Sequence, residues 1–305
     1  MQLCVASSSL VSTPVIEALL EAGHTIVSII TNPDKEKGRG KKVEANELAL
    51  WAQERGLSVA KPADVSELNR HLLDAQPQIV VTVAYGRLIP VELLHGPRFG
   101  WINLHFSVLP AWRGAAPVQW SLLNGDRTTG FTIFKLDKGM DTGPYYVQEE
   151  VMIEPTDTTE TLLESLGARG ARAIVELLLV IGKTRATPQP TTGISLAPKI
   201  SKDMARIVWS DPTEMILRKF RALEVRPGTW STFRGERISL FGAQEYFGEN
   251  TLIQVGEIAE VNSQLLVRTS DSVISISEVT PAGKKRMSGS DFVRGARLAG
   301  GELFE

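Results

Sequence analysis

The sequence predicts a doubly wound α/β domain, built on a mostly parallel sheet, followed by a small C-terminal β-barrel. Three observations carry this. Strand and helix signals alternate through the first 180 residues, as a succession of βαβ units requires. The run Ile79–Ala84 is continuously apolar and β-branched, the pattern of a central strand covered on both faces. After Gly182 the composition changes, and short strand-like pieces recur between Gly, Asn and Asp punctuation.

Taken in order, Leu3–Ala6 reads as a buried strand, and Thr13 precedes a helix that begins at Pro14 and stops at Gly23. Thr25–Ile30 is a second strand, followed by the polar loop Thr31–Lys42. Ala45–Arg55 and Ser66–Asp74 have helical periodicity, and Ile79–Ala84 follows as the central strand. Trp101–Leu104 is the next strand and Val118–Leu123 a helix closed by Asn124-Gly125. Phe131–Leu136 and Tyr145–Ile153 are strands, and Thr158–Gly182 is a long helix suited to pack on the sheet. Residues 184–206, rich in Thr, Pro and Gly, read as a linker. Beyond them come a helix at Asp211–Leu223 and strands at Thr229–Phe233, Arg237–Phe241, Ile253–Val261, Gln264–Arg268 and Val273–Val279. The expected division is therefore 1–183, a linker 184–206, and a barrel 207–305.

Composition excludes several classes. The single cysteine, Cys4, cannot form an internal disulfide, which fits a reducing, cytoplasmic setting. No segment has the length of a bilayer span, so no membrane role is expected. The net charge is −2, and residues 207–305 carry 12 Lys or Arg against 13 Asp or Glu. A nucleic-acid partner would thus have to be held by local clusters. His24, His71 and His95 show no metal-ligand spacing with one another or with Cys4, so no metal is expected.

Chemistry concentrates in two segments. Asn103-Leu104-His105 ends the Trp101–Leu104 strand, and alternation on a strand lets Asn103 and His105 face one way while Leu104 faces the sheet. Asp141 lies in Asp137-Lys138-Gly139-Met140-Asp141-Thr142-Gly143, a tight loop between two strands. An amide and an imidazole can donate to a developing oxyanion, and a carboxylate can orient the imidazole or take a proton. A site for acyl transfer or hydrolysis follows, with no covalent nucleophile required. Ser107 lacks the flanking glycines of a nucleophile elbow and is better suited to a loop role.

The motifs Asn-x-His-x-Ser-x-Leu-Pro-x-Trp-Arg-Gly-Ala-Ala-Pro, Thr-Gly-Phe-Thr-Ile and Asp-x-Gly-Met-Asp-Thr-Gly resemble those of the folate-dependent formyltransferases over nearly the whole chain. The Trp-Arg-Gly-Ala-Ala-Pro form and the Gly38-Arg39-Gly40-Lys41-Lys42 loop point to the branch of that family that acts on tRNA. The resemblance implies a Rossmann-like catalytic domain and an OB-like barrel. It also implies transfer of a formyl group from 10-formyltetrahydrofolate to the α-amine of methionyl initiator tRNA, by a monomer and without a metal. Asn103 and His105 would stabilise the tetrahedral intermediate and Asp141 would handle protons. Folate would lie against Val83, Ala84, Tyr85, Gly86, Arg87 and Leu88, against Asp137 and its loop, and against Ser107, Val108, Leu109 and Pro110. The tRNA would meet Lys37, Arg39, Lys41 and Lys42, with Lys284, Lys285 and Arg286 as a second basic turn on the barrel.

Three departures from the family pattern stand out: Ser7-Ser8-Ser9 in place of a Gly-Thr-Pro-like turn, Phe106 in place of a small residue, and Lys35-Glu36-Lys37 in place of Arg-Pro-Ala. The alternatives are a formyltransferase for a sugar nucleotide or other small amine, a formyl-folate hydrolase, and a tRNA-binding module without catalysis.

Overall fold

The computed structural model describes residues 1–37, 42–249, 252–298 and 300–305, with the side chains of residues 35–37 and 42 outside that description. Two compact units result. One comprises Met1–Val118, Arg127–Glu154 and Glu160–Pro198, the other Gln119–Asp126, Pro155–Thr159 and Lys199–Glu305.

The first unit is built on strands β1 (Gln2–Ala6), β2 (Thr25–Ile30), β5 (Val59–Ala60), β6 (Ile79–Val83), β7 (Trp101–His105), β9 (Thr128–Lys135) and β10 (Tyr145–Met152), in the spatial order β10-β9-β7-β6-β1-β2-β5. The pairs from β5 to β7 are parallel; β9 is antiparallel to both β7 and β10. β6 is buried at every position, as its unbroken apolar run requires. From β1 the chain winds outward through β2 to β5, then returns to β6 on the opposite side of β1. The strand order thus reverses between β1 and β6, and open α/β sheets bind ligands outside the carboxyl ends of strands at such a point. Ser8, just past β1, donates from its backbone N and its Oγ to the carbonyl of Ala84, just past β6, at 3.3 and 3.0 Å.

Helices α1 (Thr13–Glu21), α2 (Glu47–Glu54), α3 (Val65–Ala75), α4 (Val91–Leu94) and α6 (Thr159–Val180) follow or connect these strands, with α5 (Pro117–Asn124) between β7 and β9. Asn46 and Asp64 cap α2 and α3, accepting from the amides of Ala49 and Glu67. On α6, a Cβ at Gly170 would stand 2.5 Å from Leu104, the residue between Asn103 and His105. The glycine lets the helix press directly on the back of β7.

The polar loop Thr31–Lys42 is in part a hairpin, with β3 (Lys35–Lys37) pairing β4 (Lys42–Glu44) apart from the main sheet. The expected linker does not stay free of the units. Residues 184–198 join the first unit and 199–206 the second. The physical reason is backbone pairing: β11 (Leu196–Ala197) runs parallel to β8 (Arg113–Gly114), and Arg113, Ala115 and Ala116 donate to the carbonyls of Ser195 and Ala197. A composition rich in Thr, Pro and Gly cannot distinguish a free linker from a strap that spends its amides on another loop.

The second unit holds α7 (Thr213–Leu223) and an antiparallel sheet in the order β12 (Trp230–Phe233), β13 (Glu236–Glu245), β16 (Val273–Pro281), β15 (Gln264–Arg268) and β14 (Ile258–Val261), with β17 (Met287–Ser288) on β16. Residues 302–305 reach both edges, bridging Phe233 and Glu257, which closes the sheet on itself. Trp209, Phe220, Phe292 and Phe304 fill its core. β14 begins at Ile258 rather than at Ile253, because the amides of Ile253 and Gln254 cap the Glu257 carboxylate instead of joining the ladder. Helix α8 (Gly289–Ala296), capped by Ser288, was not expected from the sequence.

Candidate active site

Asn103 and His105 occupy alternate positions at the end of β7, and the ladder fixes both. Asn103 sits opposite Thr82 of β6, and the Thr82 hydroxyl donates to Asn103 Oδ1 at 2.6 Å. That bond commits the amide's acceptor end to the sheet and leaves the Nδ2 end to face outward from it. His105 sits opposite Thr132 of β9, is 5% exposed, and meets the edge of Phe134 with ring centroids 6.4 Å apart.

The imidazole is held at both nitrogens. Nε2 lies 2.9 Å from the carbonyl of Trp112, so Nε2 carries the hydrogen. Nδ1 faces Asp141, 3.7 Å from Oδ2. Burial pushes the His105 pKa below the usual imidazole value, against the opposing pull of the Asp141 charge and the Trp112 carbonyl. The resting imidazole is therefore neutral at pH 7, with a lone pair on Nδ1. Donation to an oxyanion through Nε2 would break the Trp112 bond. The atom open to chemistry is Nδ1, which can take a proton that Asp141 then stabilises.

Asp141 reaches this position from an irregular loop. Its φ is +55°, a left-handed conformation that Asp tolerates better than most residues. Its Oδ2 accepts from the Gly114 amide at 2.8 Å. The loop is shaped from inside by Asp137, whose Oδ1 accepts from the Gly139 amide at 2.9 Å and from the Thr142 hydroxyl at 2.7 Å. At Gly143 a Cβ would stand 1.8 Å from the Lys135 carbonyl, so only glycine closes the turn.

The residues expected to line the folate divide by burial. Ala84, Gly86 and Leu88 are exposed, with Leu88 83% so, and Ala84 and Gly86 have left-handed backbones that present the loop after β6. Val83 and Tyr85 are buried, and Arg87 donates to the carbonyls of Pro62 and Ala63. Ser107 and Leu109 are 1% exposed and Pro110 is buried. The Ser107 hydroxyl donates to the Ala111 carbonyl at 2.6 Å, and Thr132 and Gln148 hold the carbonyls of Ser107 and Leu109. This turn is internal scaffold, with Val108 its half-buried member.

Of the basic residues, Arg39 and Lys41 lie outside the described residues. Lys37 and Lys42 are backbone register partners in the β3–β4 ladder. Lys284 and Lys285 are exposed in the turn after Gly283. Arg286 is engaged within the barrel, pairing with Glu278 and stacking over Phe241 at 3.8 Å. Among the described residues no group of three His, Cys, Asp or Glu could hold a metal ion, and no helix is long and apolar enough to cross a membrane. Thr82, Gln189 and Ser195, whose side chains bond Asn103 Oδ1, the Asp141 and Gly143 carbonyls, and the Trp112 amide, carry no local signal. Only strand register and chain-distant pairing reveal them.

The chain belongs to the formyl transferase family: the formyl transferase model matches residues 2–178 and the formyl transferase C-terminal domain model residues 199–297. Among its relatives, the methionyl-tRNA formyltransferase of Salinispora tropica is 41% identical over 99% of each chain. The solved methionyl-tRNA formyltransferase of Clostridium thermocellum shares the fold with a TM-score of 0.60 at 17% identity, covering 82% of this chain and 95% of that one. HypX from Aquifex aeolicus, solved in complex with tetrahydrofolic acid, superposes with a TM-score of 0.69 at 16% identity over 96% of this chain; the match spans 46% of the HypX chain.

Proposed function

We propose that this chain transfers the formyl group of 10-formyltetrahydrofolate to the α-amine of methionyl initiator tRNA, giving the N-formylmethionyl form used to start translation in the cytoplasm. The reading is supported by near-full-length identity of about 40% to proteins named for this activity. The observation that carries the chemistry is a buried imidazole with Nε2 tied to a carbonyl and Nδ1 facing a carboxylate, two residues along the strand from an amide whose acceptor end is already committed.

In the reaction, the amine nitrogen attacks the formyl carbon and forms the new C–N bond. The carbonyl electrons move to oxygen, where Asn103 Nδ2 donates to the oxyanion; a preorganised donor of this kind contributes about 2.7–4 kcal/mol. The amine proton passes to His105 Nδ1, and Asp141 balances the imidazolium that results. Collapse breaks the bond from the formyl carbon to N10 of the folate. The proton on Nδ1 then returns to that departing nitrogen, restoring the neutral imidazole. An α-amine has a pKa of about 7.7–8.0, so the attacking form is scarce at neutral pH and a poised base is of direct use.

The exposed loop after β6 and the Asp137–Asp141 loop give the folate its contacts, largely through backbone, at the reversal of strand order. The β3–β4 hairpin with Arg39 and Lys41, and Lys284 with Lys285, contact the phosphate backbone of the tRNA. The test is direct: incubate the protein with 10-formyltetrahydrofolate and charged initiator tRNA and look for N-formylmethionine. Product with charged tRNA, and none with uncharged tRNA or an amino-sugar nucleotide, is the expected result. Folate turnover independent of tRNA would instead favour the small-amine or hydrolase readings.

A further inference from the structure

Asp141, whose carboxylate faces His105, is held at its backbone carbonyl by a side chain 48 residues further along the chain. Gln189 lies in the segment between α6 and β11, and its amide uses its full bonding capacity on two loops. Nε2 donates to the carbonyl of Asp141 at 2.9 Å and to the carbonyl of Gly143 at 2.8 Å. Oε1 accepts from Arg113 Nη2 at 2.6 Å and Nε at 3.3 Å. Arg113 is the residue before Gly114, whose amide donates to Asp141 Oδ2. The contacts close a ring: carboxylate to Gly114, Gly114 to Arg113, Arg113 to Gln189, and Gln189 back to the Asp141 backbone.

The same segment supports the other nitrogen of the imidazole. Ser195 Oγ accepts from the Trp112 amide at 2.8 Å, and the Trp112 carbonyl receives His105 Nε2. Trp112 itself has φ +59°, and so, like Asp141, needs outside support to keep a left-handed conformation. The two unfavourable backbones that flank His105 are thus both tied to residues 189–195.

We infer that Gln189 is a positioning residue for formyl transfer: by gripping the Asp141 and Gly143 carbonyls while Arg113 grips its oxygen, it sets where the Asp141 carboxylate stands relative to His105 Nδ1. Its role in catalysis rests on the proposed formyl transfer, whereas its hold on Asp141 does not. Asp141 is the charged group that faces the imidazole, and Arg113 stands on the far side of Gln189.

Two near-isosteric variants separate positioning from plain packing. Gln189→Glu keeps the acceptor for Arg113 but sets a carboxylate oxygen against two carbonyls. Gln189→Met removes both sets of bonds while filling the same volume. If Gln189 only anchored Arg113, Gln189→Glu would behave as wild type. If it positions Asp141, both variants lower kcat by about tenfold or more, the scale of a small misplacement of a reacting group, with KM for folate and for tRNA little changed. The chain has four histidines, so His105 can also be followed by NMR titration without any turnover. Withdrawal of the Asp141 charge moves the His105 pKa further down in Gln189→Met, which brings no charge of its own into the cluster. Wild-type kcat in Gln189→Glu, together with an unmoved His105 titration in Gln189→Met, overturns the inference. A wild-type enzyme that forms no N-formylmethionine, while His105 still shifts in Gln189→Met, overturns the functional reading and leaves the positioning role standing.

Discussion

The two halves of the candidate active site are built by different means. Asn103 and His105 are placed by a regular strand: β7 lies between β6 and β9, and the ladder sets where each side chain points. Asp141 is placed by an irregular loop in which the Asp137 carboxylate takes one amide, Gly143 has no room for a Cβ, and a distant glutamine takes two carbonyls. The strand half draws on cooperative hydrogen bonding shared by the whole sheet. The loop half depends on a few side chains, each replaceable only by another that makes the same bonds. Chemistry that needs an imidazole and a carboxylate 3.7 Å apart therefore rests on its less redundant half.

The largest effects test whether the two halves act as one unit. Asn103→Ala, His105→Ala and Asp141→Ala should each lower the single-turnover formylation rate by about 10²–10³-fold, the range for an oxyanion donor or an acid–base group. The double variant His105→Ala/Asp141→Ala should be little worse than either alone if the pair is a unit, and multiplicatively worse if it is not. Next in size is a steric strike on the strand half. Gly170→Ala drives a methyl into Leu104, with an expected loss of about 1–3 kcal/mol in stability by denaturant unfolding. A wild-type midpoint would show that β7 tolerates pressure from α6. Thr82→Val keeps shape but frees the Asn103 amide to turn. About 1 kcal/mol of orientation should be lost, read as a severalfold fall in kcat with folate binding intact.

Stability against pH gives a smaller and sign-specific effect. The folded His105 pKa is depressed by burial, so on acidification the unfolded chain binds its proton first. The stability associated with a neutral His105 is full above the unfolded imidazole value of about 6.5 and is lost as pH falls through it toward the folded pKa. His105→Gln should flatten that slope, and an unchanged slope would place the acid sensitivity elsewhere. The smallest effect concerns the basic turn of the barrel. Lys284→Ala with Lys285→Ala should weaken tRNA use and reduce its salt slope by about one for each phosphate no longer neutralised, while Arg286→Ala, already paired with Glu278, should act mainly on barrel stability.

The same contrast explains what could be read from the sequence. The order of strands and helices in the first unit was legible because each has its own period and punctuation, and Ile79–Ala84 needed only its apolar run. Asn103, His105 and Asp141 could be singled out because their residue types suit one chemistry and two of them alternate on a strand. The paired Nε2 of His105 was not legible, since a backbone carbonyl at Trp112 leaves no trace in residue types. Nor was the strap: Pro188-Gln189-Pro190 reads as linker because its partners lie near residues 113 and 141. Strand Ile258–Val261 begins late because Glu257 captures the preceding amides, a competition between side chain and ladder that alternation cannot register. Helix α8 is hidden between a basic turn and a glycine-rich tail.

The proposed formyl transfer turns on His105 Nδ1 taking the amine proton with Asp141 behind it. The most direct measurement is the single-turnover rate of N-formylmethionyl-tRNA formation for wild type and Asp141→Asn at pH 7, with folate and charged tRNA both saturating. A rate lower by about 10²-fold or more in the asparagine variant is predicted. A variant that formylates at close to the wild-type rate would contradict that role for the pair.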